Sequence, residues 1–263
     1  MKHPYALITG ASSGIGLEIS KVLGAKGYNL ILVSNQGEIL NELVSQFSVE
    51  FEVKLLCIDI DLTKEEASKE IFDFCENQQL EIEVLVNNAG FFFFGEAVEA
   101  DPKTAMDMLN LHVRTTSIMC TLFGKQMKQR RKGYILNTSS ISAYKDFPGI
   151  AYYGSSKSYI KSFTRSLRTE LKRYGIHVTC LLPGATATNL YDPTIVNVPK
   201  AKKWGIMMDA DKVARRGVRA LFRNRSKVLP GFMTKLMNGF ARATPHWLIY
   251  LISKRVKYFD NHD

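Results

Sequence analysis

The chain has 263 residues, of which 46% are hydrophobic and 23% charged, so it can bury a large core and is not a disordered polymer. Its formal net charge of +10 is concentrated at one end. Residues 200–257 hold 15 Lys and Arg against Asp209 and Asp211, leaving the remainder slightly acidic. Cys57, Cys75, Cys120 and Cys180 stand far apart without CxxC or His-rich spacing, which argues against a disulfide framework or a metal site and suits a reducing cytoplasm. The early apolar run 5–8 is too short for a signal peptide, so a cytoplasmic location is expected.

Strand-like runs are predicted at 5–9, 29–34, 53–58, 83–87, 133–138 and 177–182. Amphipathic helical patterns lie between them, among them 65–75, 103–129 and 155–174. Continuous apolar strands alternating with helices imply a doubly wound, mostly parallel α/β sheet of Rossmann type. After Pro183 and Gly184 the rhythm changes, and 186–203 reads as a long connection of the kind that forms lids. A helix is predicted at 209–225 and a last short strand at 227–229. The apolar stretch 232–252 is interrupted by Lys235, Arg242 and Pro245 and is too broken to span a membrane. The expected organisation is one catalytic domain, 1–231, with a basic amphipathic extension, 232–263, packed on or next to it.

The segment Thr9-Gly10-Ala11-Ser12-Ser13-Gly14-Ile15-Gly16 follows the first strand and opens a helix. Gly10 allows a tight turn, Gly14 lets backbone approach a pyrophosphate, and Gly16 permits close helix–strand packing. Unpaired amides at the helix start would face the anion. Cofactor choice depends on the end of the second strand, Ser34-Asn35-Gln36, where a carboxylate would hold a ribose hydroxyl. None is present, and Ser12, Ser34 and Asn35 can donate to a 2′-phosphate. NADP(H) is therefore preferred over NAD(H).

Tyr153 and Lys157 are spaced i,i+4 and share a helix face, whereas Tyr152 has Ser156 at that distance. An ammonium beside a phenol favours phenolate and brings an acid of pKa about 10 towards neutral pH. Ser139 and Ser140 end a strand, where ligands of open α/β sheets collect. His112, two residues after Asn110, is expected to face elsewhere on its helix and to serve packing.

The TGxxxGxG segment, Asn87-Asn88-Ala89-Gly90, Tyr153-x-x-x-Lys157 and Pro183-Gly184 occur in an order and spacing that cover nearly the whole chain. In these the chain resembles the classical short-chain dehydrogenase/reductase family. The resemblance implies that Ser140, 13 positions before the tyrosine, binds the substrate oxygen. It also implies that Asn110 holds a water linked to Lys157, and that Lys157 bonds the nicotinamide ribose. It further assigns adenine contacts to Asp61 and Leu62 and sheet support beside the cofactor to Asn88. Contacts with the nicotinamide half fall to Ile15 and Thr188. Ser13, Ala89, Gly90, Pro183 and Gly184 belong to the same cofactor frame. Asp61 could instead cap a helix starting near Lys64.

Phe91, Phe92, Phe93 and Phe94 fit either an apolar substrate wall or a division between core and subunit contact. Arg215, Arg219 and Arg223 recur every four residues on a basic helix face. With the apolar tail this fits lipid headgroups, an anionic acyl carrier or coenzyme A, or a merely solvated surface. No nucleic-acid motif accompanies the charge. The expected activity is interconversion of a hydrophobic ketone (acyl-chain, keto-sphingoid or steroid-like) with its alcohol, in a homodimer or homotetramer. A small-alcohol or sugar dehydrogenase and a dinucleotide sensor without turnover are the alternatives.

Overall fold

The computed structural model describes residues 4–188, 202 and 207–253. The strands are β1 (Tyr5–Thr9), β2 (Asn29–Ser34), β3 (Leu55–Asp59), β4 (Ile82–Asn87), β5 (Gly133–Thr138), β6 (Ile176–Leu181), β7 (Thr186–Ala187), β8 (Met208–Asp209) and β9 (Lys227–Val228). The helices are α1 (Gly14–Gly24), α2 (Gly37–Glu50), α3 (Ala67–Asn77), α4 (Pro102–Leu109), α5 (Thr116–Arg130), α6 (Ala151–Leu171), α7 (Ala210–Phe222), α8 (Phe232–Ala243) and α9 (His246–Ser253). Seven strands form one parallel sheet in the order β3-β2-β1-β4-β5-β6-β9, and β7 pairs with β8 apart from it. This is the doubly wound α/β architecture expected from the strand–helix rhythm.

Strands β2 and β4 are buried at every position, Glu83 of β4 included, where it pairs with Lys132. Alternate residues supply the two faces. Ala6, Ile8, Leu30, Leu32, Val84 and Val86 pack against Ile19 and Leu23 of α1, Phe47 of α2 and Val218 of α7. Leu7, Ile31, Val33 and Leu85 turn the other way, towards Ile71 of α3 and Phe123 and Met127 of α5. The buried amides of Asn87 and Asn137 join β4 to β5 at 2.8 Å, and Asn137 reaches Thr164 of α6 at 3.0 Å. They fix the sheet's central strands against α6 just below the site.

The structure departs from the predicted elements in several places, α6 beginning at Ala151 rather than at 155. The helix expected over 103–129 is split into α4, a π-helical segment at Asn110–Thr115, and α5. Its start is well encoded: Asp101 accepts from the Thr104 amide at 2.8 Å and Pro102 occupies the first turn. Helix α3 begins at Ala67, later than the pattern suggested. The connection expected at 186–203 starts as β7, whose pairing with β8 draws its two ends together. The body of that proposed lid lies outside the described residues. Among the described residues no helix is long and apolar enough to cross a membrane.

Candidate active site

Parallel strands place their carboxyl ends on one edge, and there the structure opens a cleft of about 460 Å³. Gly10, Ser12, Ser13, Gly14 and Ile15 line it from the β1–α1 turn, with Ser34 and Asn35 from the end of β2. Asp61 and Leu62 follow β3, and Asn88, Ala89 and Gly90 follow β4. Tyr153 and Lys157 enter from α6, and Pro183 and Thr188 from the segment after β6. Gly16, Asn110, Ser140 and Gly184 are not among its lining residues.

The glycine turn has the conformation its sequence implied. Gly10 and Gly14 have φ of +66° and +56°, a region that side chains disfavour. A Cβ on Gly16 would overlap the Gly10 carbonyl, so the third glycine serves packing. Ser13 opens α1 without a side-chain cap, which leaves first-turn amides for an anion. The donor set fits a dinucleotide pyrophosphate. Asn88 braces this turn, its amide reaching Thr9 O at 3.3 Å while its own oxygen accepts from Thr138.

At the far end Ser34 donates to Ser12 Oγ at 3.0 Å, and Ser12 donates to Gln36 Oε1 at 2.6 Å. One carboxylate, Asp59, comes close by, against Gly37 at the start of α2, though it does not line the cleft. Asp61 closes a turn rather than a helix, accepting from the Thr63 amide and hydroxyl at 2.9 and 2.8 Å. Burial pushes its carboxyl up, but the bonds from Thr63 and the nearby Lys64 outweigh this and hold it below the usual range.

Lys157 is only 4% exposed. Its Nζ donates to Thr138 O at 3.3 Å and lies 5.5 Å from the centre of the Tyr153 ring. Burial lowers its pKa to about 8. Ser139 donates to the Lys157 carbonyl at 2.7 Å, which commits that hydroxyl to structure. Ser140 instead accepts from the Ser142 amide at 3.1 Å, leaving its own proton uncommitted.

The aromatic run divides its tasks. Phe91 and Phe92 line the cleft, Phe92 meeting the Tyr153 ring edge-on at 5.0 Å. Phe93 lies against Tyr152, and Phe94 packs over Gly149. Thr234 of α8 packs directly on Gly184, next to the lining residue Pro183, which seats α8 beside the site.

His112 corrects the sequence reading. It does not face away: it is fully buried in the cleft wall, 5.8 Å ring to ring from Tyr153. Asn110 stands half-buried at the first residue of the π segment. Wider winding changes which residues share a face, so an ordinary helical projection misplaces His112.

The description "short chain dehydrogenase" matches residues 4–196, and the chain belongs to this family. It is similar to hydroxysteroid dehydrogenase-like protein 1 of Gallus gallus, 30% identical over 93% of this chain and 73% of that protein. A very-long-chain 3-oxoacyl-CoA reductase of Pyrenophora tritici-repentis is 31% identical over 81% of this chain, which spans 64% of that protein. Among solved structures, a short-chain dehydrogenase from Sphingobium yanoikuyae in complex with NADPH superposes with a TM-score of 0.79. It is 22% identical, over 92% of this chain and 97% of that one, a likeness of fold. The chain is thus a short-chain oxidoreductase.

The buried ammonium has a measurable consequence. Between about 8 and the ordinary lysine value of 10.5, the unfolded chain holds a proton that the folded Lys157 has lost. Stability from this group therefore rises with pH across that window and is absent below it. Urea unfolding should find Lys157→Met more stable than wild type at pH 7, by roughly 3 kcal/mol. The gap should close as pH rises past 10; a gap independent of pH would contradict burial of the charge.

Proposed function

We propose that the protein reduces a hydrophobic ketone with NADPH, Tyr153 giving the proton to the nascent alkoxide. The observation that carries this reading is Tyr153 beside the buried Lys157 in a cleft that also contains the glycine turn. When bound, the nicotinamide supplies hydride. The Lys157 ammonium favours the phenolate of Tyr153, which makes the phenol a competent acid, and holds the nicotinamide ribose. Ser140 donates to the substrate oxygen, a bond that strengthens as negative charge develops there. Tyr153, left as phenolate, recovers its proton by way of Lys157, which is resupplied through a water held by Asn110.

Support for NADPH comes from the end of β2, where Ser34 and Asn35 line the cleft without a carboxylate, and from the NADPH-bound structural neighbour. Support for an apolar substrate comes from Phe91 and Phe92 beside Tyr153, and from the names of the steroid-like and very-long-chain relatives. Steady-state rates on ketones of increasing chain length should favour long chains, with higher kcat/KM for NADPH than for NADH. Tyr153→Phe should keep NADPH affinity and lose about 10²- to 10⁴-fold in kcat. Near-normal turnover by that variant would remove Tyr153 from the chemistry.

The C-terminal segment supports docking on an anionic lipid surface. Phe232, Leu236 and Phe240 on α8 and Trp247, Tyr250 and Leu251 on α9 are exposed apolar side chains. Lys235 lies among them, and the sequence continues with Lys254, Arg255 and Lys257. Such a surface suits headgroups and acyl chains together, whereas a second copy would bring like charge against like. Full-length protein should sediment with phosphatidylserine vesicles and not with phosphatidylcholine alone. The exposed-site variant Phe240→Gln/Trp247→Gln should remain in the supernatant, and equal sedimentation of both proteins would reject docking.

A further inference from the structure

His112 touches two positions of α6 and faces a third. Its ring meets the Tyr153 ring, its Nδ1 lies 2.9 Å from Ser156 Oγ, and its Nε2 faces the space above Gly90 that Lys157 also faces. A Cβ on Gly90 would lie 2.7 Å from His112 Nε2 and 3.4 Å from Lys157 Nζ, so glycine leaves room for the imidazole and both nitrogens border the same space. Nε2 is buried and has no hydrogen-bond partner within the protein.

The partners indicate the tautomer. Ser156 Oγ donates its one proton to the Tyr153 carbonyl at 2.8 Å, so towards Nδ1 it acts as acceptor and Nδ1 carries the hydrogen. Nε2 is then a bare lone pair. The opposite tautomer would aim an unpaired N–H towards an ammonium, an unfavourable arrangement in a buried wall. Burial, reinforced by the Lys157 charge, holds the imidazole neutral by lowering its pKa well below the ordinary histidine value.

We propose that His112 is a positioning residue for Lys157, its Nε2 accepting from the ammonium through one water. Lys157 then has acceptors on two sides, Thr138 O directly and His112 Nε2 through that water, which restrict where Nζ can lie. The titratable groups facing the imidazole are Tyr153 and Lys157 of α6, and Cys180 of β6 acts on Lys157; Gly90 and Phe91 of the facing loop carry no charge. Arg114 on the same π segment is paired with Glu65 at 3.0 Å. The contact stands on these positions alone, while its effect on turnover rests on the reductase reading.

The test uses ¹⁵N-labelled full-length protein without substrate, with the His112 and Lys157 signals assigned by their loss in variants. Wild type should show a neutral Nδ1–H ring at His112. His112→Gln keeps an acceptor near the Nε2 position, whereas His112→Asn keeps only the Ser156 end. Losing the acceptor destabilises the ammonium, so Lys157 should titrate about one pH unit lower in His112→Asn and near wild type in His112→Gln. An Nε2–H ring in wild type, or one Lys157 titration common to all three proteins, would overturn the proposal. Melting temperatures alone would move if His112 merely packed, and Lys157 would then titrate unchanged. With a ketone substrate, the alkaline limb of kcat/KM should move down with Lys157 in His112→Asn. If the NMR shift appears without that movement, the contact stands and the reductase reading fails.

Discussion

Burying one ammonium group governs the architecture around the cleft. Lys157 places its charge in a wall where little water reaches it, and its pKa falls to about 8 as a result. Such a charge is tolerable only if the surrounding chain is fixed around it. Thr138 offers a carbonyl to Nζ, Ser139 pins the lysine's backbone, and Gly90 leaves the space that the neighbouring His112 ring occupies. The Asn87–Asn137–Thr164 chain of hydrogen bonds then holds β4, β5 and α6 in one register. The parallel sheet matters because it delivers all these groups to the same edge.

The parts legible in the sequence are those ruled by short spacings. A glycine turn between strand and helix dictates backbone shape locally, and an i,i+4 pair on a helix needs nothing distant to place it. Strands β1, β2 and β5 begin and end where their apolar runs do. What escaped were features set by winding and tertiary contact. No proline or glycine signals the π segment at 110–115, yet it decides that His112 reaches Tyr153. The carboxylate of Asp59 beside Gly37 is likewise invisible in the sequence, since strand and helix meet there only in the fold. For Asp61 the alternatives were a ligand contact and a helix cap; its hydrogen bonds close a turn on Thr63, and it still lines the cleft.

The basic end of the chain separates into two physical parts. On α7, Val213, Val218 and Leu221 are buried, so its arginines occupy a solvated face of an ordinary amphipathic helix. On α8 and α9 the arrangement is different, because large apolar side chains stand outside. The seating of Thr234 on Gly184 makes these helices neighbours of the cleft rather than a detached tail. An apolar surface thus lies beside a cleft lined by Phe91 and Phe92.

The central claim is that Lys157 acts on the phenol of Tyr153. Ultraviolet difference titration in the presence of NADPH, comparing wild type with Tyr153→Phe, isolates the ionisation of that one tyrosine. Phenolate should form below the ordinary value of about 10, while Lys157 still carries its charge, and this ionisation should move upward in Lys157→Met. A Tyr153 titration that is the same with and without the lysine charge would contradict it.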